Sequence, residues 1–174
     1  DVVGAVFERL IPPEDRHELG QYFTQEPLVD LIVAFCVRNP EDPVLDPTCG
    51  TGTFLIRGYD RLSARLGVHD HGQLLSQLWG VDVAPFPAEL ATINLFRQRV
   101  GDARNFPRVL NEDFFDIVPD GTYSFPPLKS EEGKNWIDEP IPLFAAVVAT
   151  FPYIDASRID GKIKGYRDIV DHRL

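Results

Sequence analysis

Three acidic residues stand where a chain of alternating strands and helices would end its strands: Asp46, Asp82 and Asp113. The stretch Val44-Leu45-Asp46-Pro47-Thr48-Cys49-Gly50-Thr51-Gly52-Thr53-Phe54-Leu55 reads as a buried strand ending at an acid, followed by a Gly-x-Gly turn that opens a helix. Such a turn lets a ligand come close to the backbone, because glycine has no Cβ to clash. It is not a pyrophosphate loop. A third glycine would be needed where Leu55 stands, and the Gly-Lys-Ser/Thr of a P-loop is missing. The carboxylate of Asp46 repels an anion and attracts an amine. Asp82 closes Trp79-Gly80-Val81-Asp82, where a carboxylate can accept from both hydroxyls of a ribose. Asp113 can accept from an exocyclic adenine amine while Phe114 stacks on the base. Three such groups on consecutive strand ends make a site for a nucleoside that carries a positive charge.

The elements that position these residues follow from hydrophobic spacing. Helices are predicted over 27–38, 52–66 and 87–100, the last with Leu90, Ile93, Asn94 and Phe96 along one face. Short strands are predicted over 44–46, 78–83, 108–110 and 143–149, with a turn at Asn111-Glu112-Asp113-Phe114. Strands alternating with helices imply a mostly parallel α/β sheet with helices on both faces, and ligands of such sheets bind beyond the carboxyl ends of the strands. Residues 119–142, rich in Pro, Gly and charge, break the alternation and read as a loop or insertion. His69 and His71 read as a loop pair rather than as metal ligands.

Composition narrows the class. The 174 residues carry 17 Lys and Arg against 27 Asp and Glu, a net charge of −10, which excludes a simple basic nucleic-acid binder. A hydrophobic share of 44% supplies a core for one domain. No apolar run reaches the roughly 20 residues a membrane span needs, and no signal peptide is visible, so a soluble, cytoplasmic protein is expected. Two cysteines, Cys36 and Cys49, make no disulfide framework and no CxxC pair, and no metal is expected. The absence of Met, even at position 1, suggests a segment of a longer chain.

The segment from Asp46 to Phe54 resembles the S-adenosylmethionine loop of the N6-adenine DNA methyltransferases of restriction-modification systems. Gly20-Gln21-Tyr22-Phe23-Thr24-Gln25-Glu26-Pro27 is similar to the segment that precedes that loop in the family, and Gly80-Val81-Asp82-Val83-Ala84-Pro85 to its ribose-binding segment. This order of motifs is that of the gamma-like class. The resemblance implies a Rossmann-like methyltransferase fold, with the strands that complete the usual seven-stranded sheet lying elsewhere or the fold incomplete at the C-terminus. It implies that 1–26 forms a segment covering the cofactor and 27–174 the binding and catalytic core. Tyr22, Phe23 and Thr24 would line the methionine pocket. Asp46, Pro47, Cys49, Gly50 and Gly52 would shape the loop, Asp82 would hold the ribose, and Asp113 with Phe114 would receive the adenine. DNA would be recognised through a downstream domain or subunit, with restriction-modification subunits as partners.

The family's catalytic motif is Asn/Asp/Ser-Pro-Pro-Tyr/Phe, and the corresponding segment here is Thr150-Phe151-Pro152-Tyr153. In the family the first side chain and a proline carbonyl accept hydrogen bonds from the N6 amine of a flipped adenine, and the aromatic ring stacks on it. Thr150 offers only a hydroxyl, and Phe151 removes a fixed φ. Ser124-Phe125-Pro126-Pro127-Leu128 mimics the motif but lacks the aromatic fourth residue, and Asp120-Gly121-Thr122 leaves no room for a buried strand before it. Two other readings follow: methylation of a protein glutamine or an RNA base, and a degenerate domain that binds only cofactor or partner. The plain alternatives are a strand-to-helix turn capped by Asp46, a hydrophobic staple at Tyr22-Phe23, and core packing for Phe114 and Phe115.

Overall fold

The computed structural model describes residues 24–102, 106–125 and 136–151. They fall into two compact units, Gln25–Ala149 and a second one to which Thr24, Thr150 and Phe151 belong.

Within Gln25–Ala149 the elements run α1 (Glu26–Cys36), β1 (Val44–Asp46), α2 (Thr53–Asp60), α3 (His71–Ser76), β2 (Leu78–Val81), α4 (Pro85–Phe96), β3 (Arg108–Leu110), β4 (Thr122–Phe125), β5 (Ile137–Pro140) and β6 (Ala146–Val147). Four strands form one parallel sheet in the order β3-β2-β1-β6. The chain leaves β1 toward β2 on one side and returns as β6 on the other. The strand order therefore reverses at β1, the place where open α/β sheets form a crevice.

The four parallel strands are short and mostly apolar because their faces are largely covered. Val44, Leu78 and the space beside Gly80 face a core of Val29, Val33, Leu55, Leu62, Leu74, Leu75, Ala91 and Leu95. Leu45, Trp79, Val81 and Leu110 face a second cluster. All four helices contribute to the first cluster. Helices on both faces were expected; among the described residues the second face is covered instead by the antiparallel pair β4 and β5. Phe125 of β4 and Phe144 stand edge-on to the Trp79 ring at 5.4 and 6.2 Å between centroids. Arg108 at the start of β3 donates to Glu139 of β5 at 2.7 Å, tying the hairpin to the parallel sheet.

This hairpin lies in the stretch expected to be a loop or insertion. Its residues carry little apolar patterning, and only Phe125 is buried, so the pairing is set by cross-strand contacts that no local period announces. A strand, Thr122–Phe125, does precede Pro126, but only its last residue is buried, in keeping with the expectation that no buried strand stands there. The strand pairs with β5 in a separate sheet, and β6 takes the place beside β1.

Other boundaries shift for local reasons. Helix α1 stops at Cys36 because Asp42 accepts from the backbone N–H of Arg38 and Asn39 at 2.9 and 2.8 Å. The helix expected over 52–66 is α-helical to Asp60 and continues as a π-helical turn over Arg61–Arg65, ended by Gly67 at φ +76°. Helix α4 buries Ala88, Ala91, Asn94 and Leu95, whereas Ile93 is half exposed. Small residues occupy that face because the Gly-x-Gly turn comes against it. The fourth strand is limited to Ala146–Val147, since β1 offers only three residues to pair with.

His71 opens α3 rather than lying in a loop. It is fully buried, its Nδ1 2.9 Å from the Tyr59 hydroxyl, and Asp70 caps the helix by accepting from the Gln73 N–H at 2.9 Å.

Candidate functional site

Two backbone hydrogen bonds hold the loop after β1. The Cys49 N–H donates to the Val81 carbonyl of β2 at 2.8 Å, and the Gly52 N–H donates back to the Cys49 carbonyl at 2.8 Å. Gly50 and Gly52 have φ of +52° and +86°, the left-handed region that glycine adopts without steric cost. The two glycines do different work. A Cβ on Gly52 would stand 3.1 Å from the Cβ and 3.2 Å from the Cα of Ala91 in α4, whereas one on Gly50 would meet nothing within 4 Å. Gly52 lets the turn close onto α4, and Gly50 leaves an open approach to the backbone.

Asp82 joins this loop to the next. Its Oδ2 accepts from the Gly50 N–H at 2.8 Å, and its Oδ1 accepts from the Ala84 N–H at 2.9 Å. Each carboxylate oxygen keeps a lone pair for a further donor. The backbone N–H of Asp82 donates to the Leu110 carbonyl of β3 at 3.0 Å. From the end of β3, the Asn111 side chain donates to the carbonyls of Asp82 and Val83 at 2.9 and 3.1 Å. The loops after three adjacent parallel strands are thus strung into one rim.

Asp46 lies beneath that rim with 1% of its surface exposed. One of its oxygens accepts from the Thr48 N–H at 3.1 Å. Burial pushes its pKa up from 3.8 to about 8, the Thr48 hydrogen bond opposes the shift, and the negative charge of Asp82 adds to it. The Thr48 hydroxyl is itself buried without a hydrogen-bond partner. Burial, reinforced by Asp46 and Asp82, also holds the Cys49 thiol well above its ordinary pKa, and Cys49 packs under the loop against Gly80.

The raised pKa of Asp46 has a consequence for stability. A carboxyl that binds its proton more tightly in the fold than in the unfolded chain adds stability that is complete below about pH 4 and is lost as pH rises toward 8. Asp46→Asn cannot titrate and is expected to remove that decline. Thermal melts from pH 5 to 9 should show the variant gaining on the wild type as pH rises; parallel curves would contradict the burial effect.

Asp113 and Phe114 sit at the third strand end, as expected. The Asp113 carboxylate accepts from the Phe115 N–H at 3.0 Å and caps a short 3-10 turn over Phe114–Asp116. Phe114 and Phe115 are both exposed rather than core, at 37% and 61%, and so is Val83 at 72%. Among the expected residues, Asp46, Pro47, Cys49, Gly50, Gly52 and Asp82 form one cluster at the ends of β1 and β2. Thr24 and Thr150 bring their hydroxyls within 2.7 Å of each other. Phe151 is exposed. Tyr22, Phe23, Pro152 and Tyr153 lie outside the described residues.

Three residues of the rim escaped sequence reasoning. Asn111 was visible only as a turn residue, and its link to Asp82 depends on β2 and β3 being neighbours. Val83 has no signal beyond its place after Asp82. Asn94 donates to the Thr51 carbonyl at 3.0 Å, and its polarity on an otherwise apolar helix face was the available sign.

A sequence model of the N-6 DNA Methylase family matches residues 1–116. The chain belongs to that family. It is 28% identical over 109 residues to the type II restriction enzyme and methyltransferase RM.BcgI of Heyndrickxia coagulans, a match covering 60% of this chain and 17% of that protein. It is 25% identical over 95 residues to the type I restriction enzyme EcoEI methylase subunit of Escherichia coli, covering 53% of this chain and 19% of the relative. A solved chain of a type I R-M system is 26% identical with a TM-score of 0.49, covering 66% of this chain and 23% of that one. The chain therefore spans less than a quarter of the length of each. No helix among the described residues is long and apolar enough to cross a membrane, and no group of His, Cys, Asp and Glu among them could hold a metal ion.

Proposed function

We propose that this chain supplies the cofactor-binding core of a restriction-modification methyltransferase, and that the methyl group of S-adenosylmethionine is transferred to the N6 amine of a flipped adenine in DNA. The observation that carries the reading is the Asp82 carboxylate. It sits between the Gly-x-Gly loop and its own turn, held by two backbone N–H groups, with acceptor capacity to spare at a strand end.

The residues present fit the cofactor. Gly50 leaves its side of the loop open. Among the described residues no cation offsets the buried acid Asp46, which feels burial, one hydrogen bond and a second carboxylate, so a ligand bearing positive charge would favour its ionised form. The buried Thr48 hydroxyl lacks a partner. Val83 and Phe114 leave apolar surface exposed at neighbouring loops. Asp82 would hold the ribose, Asp113 and Phe114 the adenine, and the loop from Asp46 to Gly52 the charged methionine end, with Tyr22, Phe23 and Thr24 over it. The bound cofactor supplies the methyl group. Thr150 and the Pro152 carbonyl would accept from the amine, and Tyr153 would stack on the base. Residues 1–26 are proposed as the covering segment and 27–174 as the core.

A net charge of −10 speaks against tight duplex binding by this chain, since such affinity comes largely from neutralised phosphates. DNA recognition is accordingly assigned to a further domain or partner subunit. The test is transfer of labelled methyl from S-adenosylmethionine to unmodified DNA by the full-length protein with its partner subunits. Label recovered as N6-methyladenine is the expected result; label found only in protein or RNA would overturn the DNA assignment.

A further inference from the structure

The resemblance sets Thr150 against the first residue of the family's catalytic motif, an amide, a carboxylate or a serine, and its hydroxyl oxygen lies 2.7 Å from that of Thr24. That distance is an ordinary O–H···O hydrogen bond. One proton lies between the two oxygens, so one hydroxyl donates and the other accepts.

The direction of that bond decides what Thr150 can do. A hydroxyl has one proton and two lone pairs, and its proton rotates toward the best acceptor nearby. Left without a partner, the Thr150 proton would be free to turn toward the amine nitrogen and compete for the lone pair that must attack the methyl group. An amide or carboxylate oxygen at this position has no such proton to dispose of. When Thr150 donates to Thr24, both of its lone pairs remain to accept from the amine, and its β-branch limits the rotamers in which it can do so.

We propose that Thr24 is a positioning residue that takes up the Thr150 hydroxyl proton and so makes Thr150 a pure hydrogen-bond acceptor for the exocyclic amine of the base. The inference rests on the methyl-transfer reading and gives Thr24 a role separate from lining the methionine pocket. Thr24 retains its own proton to donate elsewhere.

The test compares Thr24→Val and Thr24→Ser in the full-length protein with its partner subunits, each in the wild-type and the Thr150→Asn backgrounds, by steady-state transfer of labelled methyl to unmodified DNA. Thr24→Val is expected to lower kcat by about tenfold or more, the effect of one lost hydrogen bond, and Thr24→Ser to restore most of it. In the T150N background the same Val substitution should lower kcat by less than about threefold, because an amide accepts without a parked proton. Equal losses in both backgrounds, or a rise in the KM for S-adenosylmethionine with kcat unmoved, would make Thr24 a cofactor contact only and overturn the proposal. Failure of the wild-type protein to methylate adenine at all would overturn the functional reading, and this role with it. Melting temperatures of the four variants separate a folding defect from either result, and the serine variant keeps the comparison valid if the valine variant is unstable.

Discussion

Gly52→Ala is expected to destabilise the protein by about 2–4 kcal/mol, whereas Gly50→Ala two residues away should cost only about 1–2 kcal/mol and instead impair cofactor binding. Both positions have positive φ, so both substitutions carry the left-handed strain of roughly 1–2 kcal/mol. Only at Gly52 does the new methyl group also meet α4, at 3.1 Å from the Cβ and 3.2 Å from the Cα of Ala91, neither of them the end of a flexible side chain. The helix must shift or the turn must open. At Gly50 the methyl group projects into open space, which is the space the proposed cofactor would occupy. Thermal melts should place the Gly52 variant lower by several degrees, at about 2–4 °C per kcal/mol for a chain of this size. Titration with S-adenosylmethionine should weaken more in the Gly50 variant. The reverse order of stabilities, or equal affinities, would contradict this division of labour.

Asp82→Ala is expected to weaken S-adenosylmethionine binding by about a hundredfold or more. The substitution removes the proposed partner of two ribose hydroxyls, and hydrogen bonds to a charged group contribute about 1.5–3 kcal/mol each. It also frees the N–H groups of Gly50 and Ala84, so the two loops lose their mutual hold. Asp82→Asn separates charge from geometry. Its amide has one acceptor oxygen, and turning that oxygen to either N–H leaves its NH2 group facing the other donor. The asparagine variant should therefore remain well below the wild type in affinity. If it bound as tightly as the wild type, neither the carboxylate charge nor its double acceptance would matter to the site.

Much of this rim was legible in the chain. The strand-acid-Gly-x-Gly-helix order at 44–55 located β1, its turn and α2 because each part has a local signal: apolar strand, backbone freedom at glycine, helical period. Asp82 was legible for the same reason, as the acid that ends an apolar run. What stayed hidden depends on contacts between distant segments. The phase of α4 was misjudged because its buried face is built of alanines that fit a glycine turn some 40 residues earlier, and size complementarity leaves no mark in a hydrophobic period. The hairpin of β4 and β5 rests on Trp79 and Arg108, both outside the hairpin itself. The 2.7 Å pairing of Thr24 with Thr150 spans 126 positions of sequence, and neither residue announces the other.

The rim formed by Gly50, Asp82 and Asn111 is proposed to receive S-adenosylmethionine. Calorimetric titration of the protein with that compound tests it directly, with Asp82→Ala run beside it. The expected result is saturable one-to-one binding by the wild type that is lost or reduced about a hundredfold in the variant while both remain folded. Folded wild-type protein that gives no heat of binding, or a variant that binds as tightly as the wild type, would contradict it.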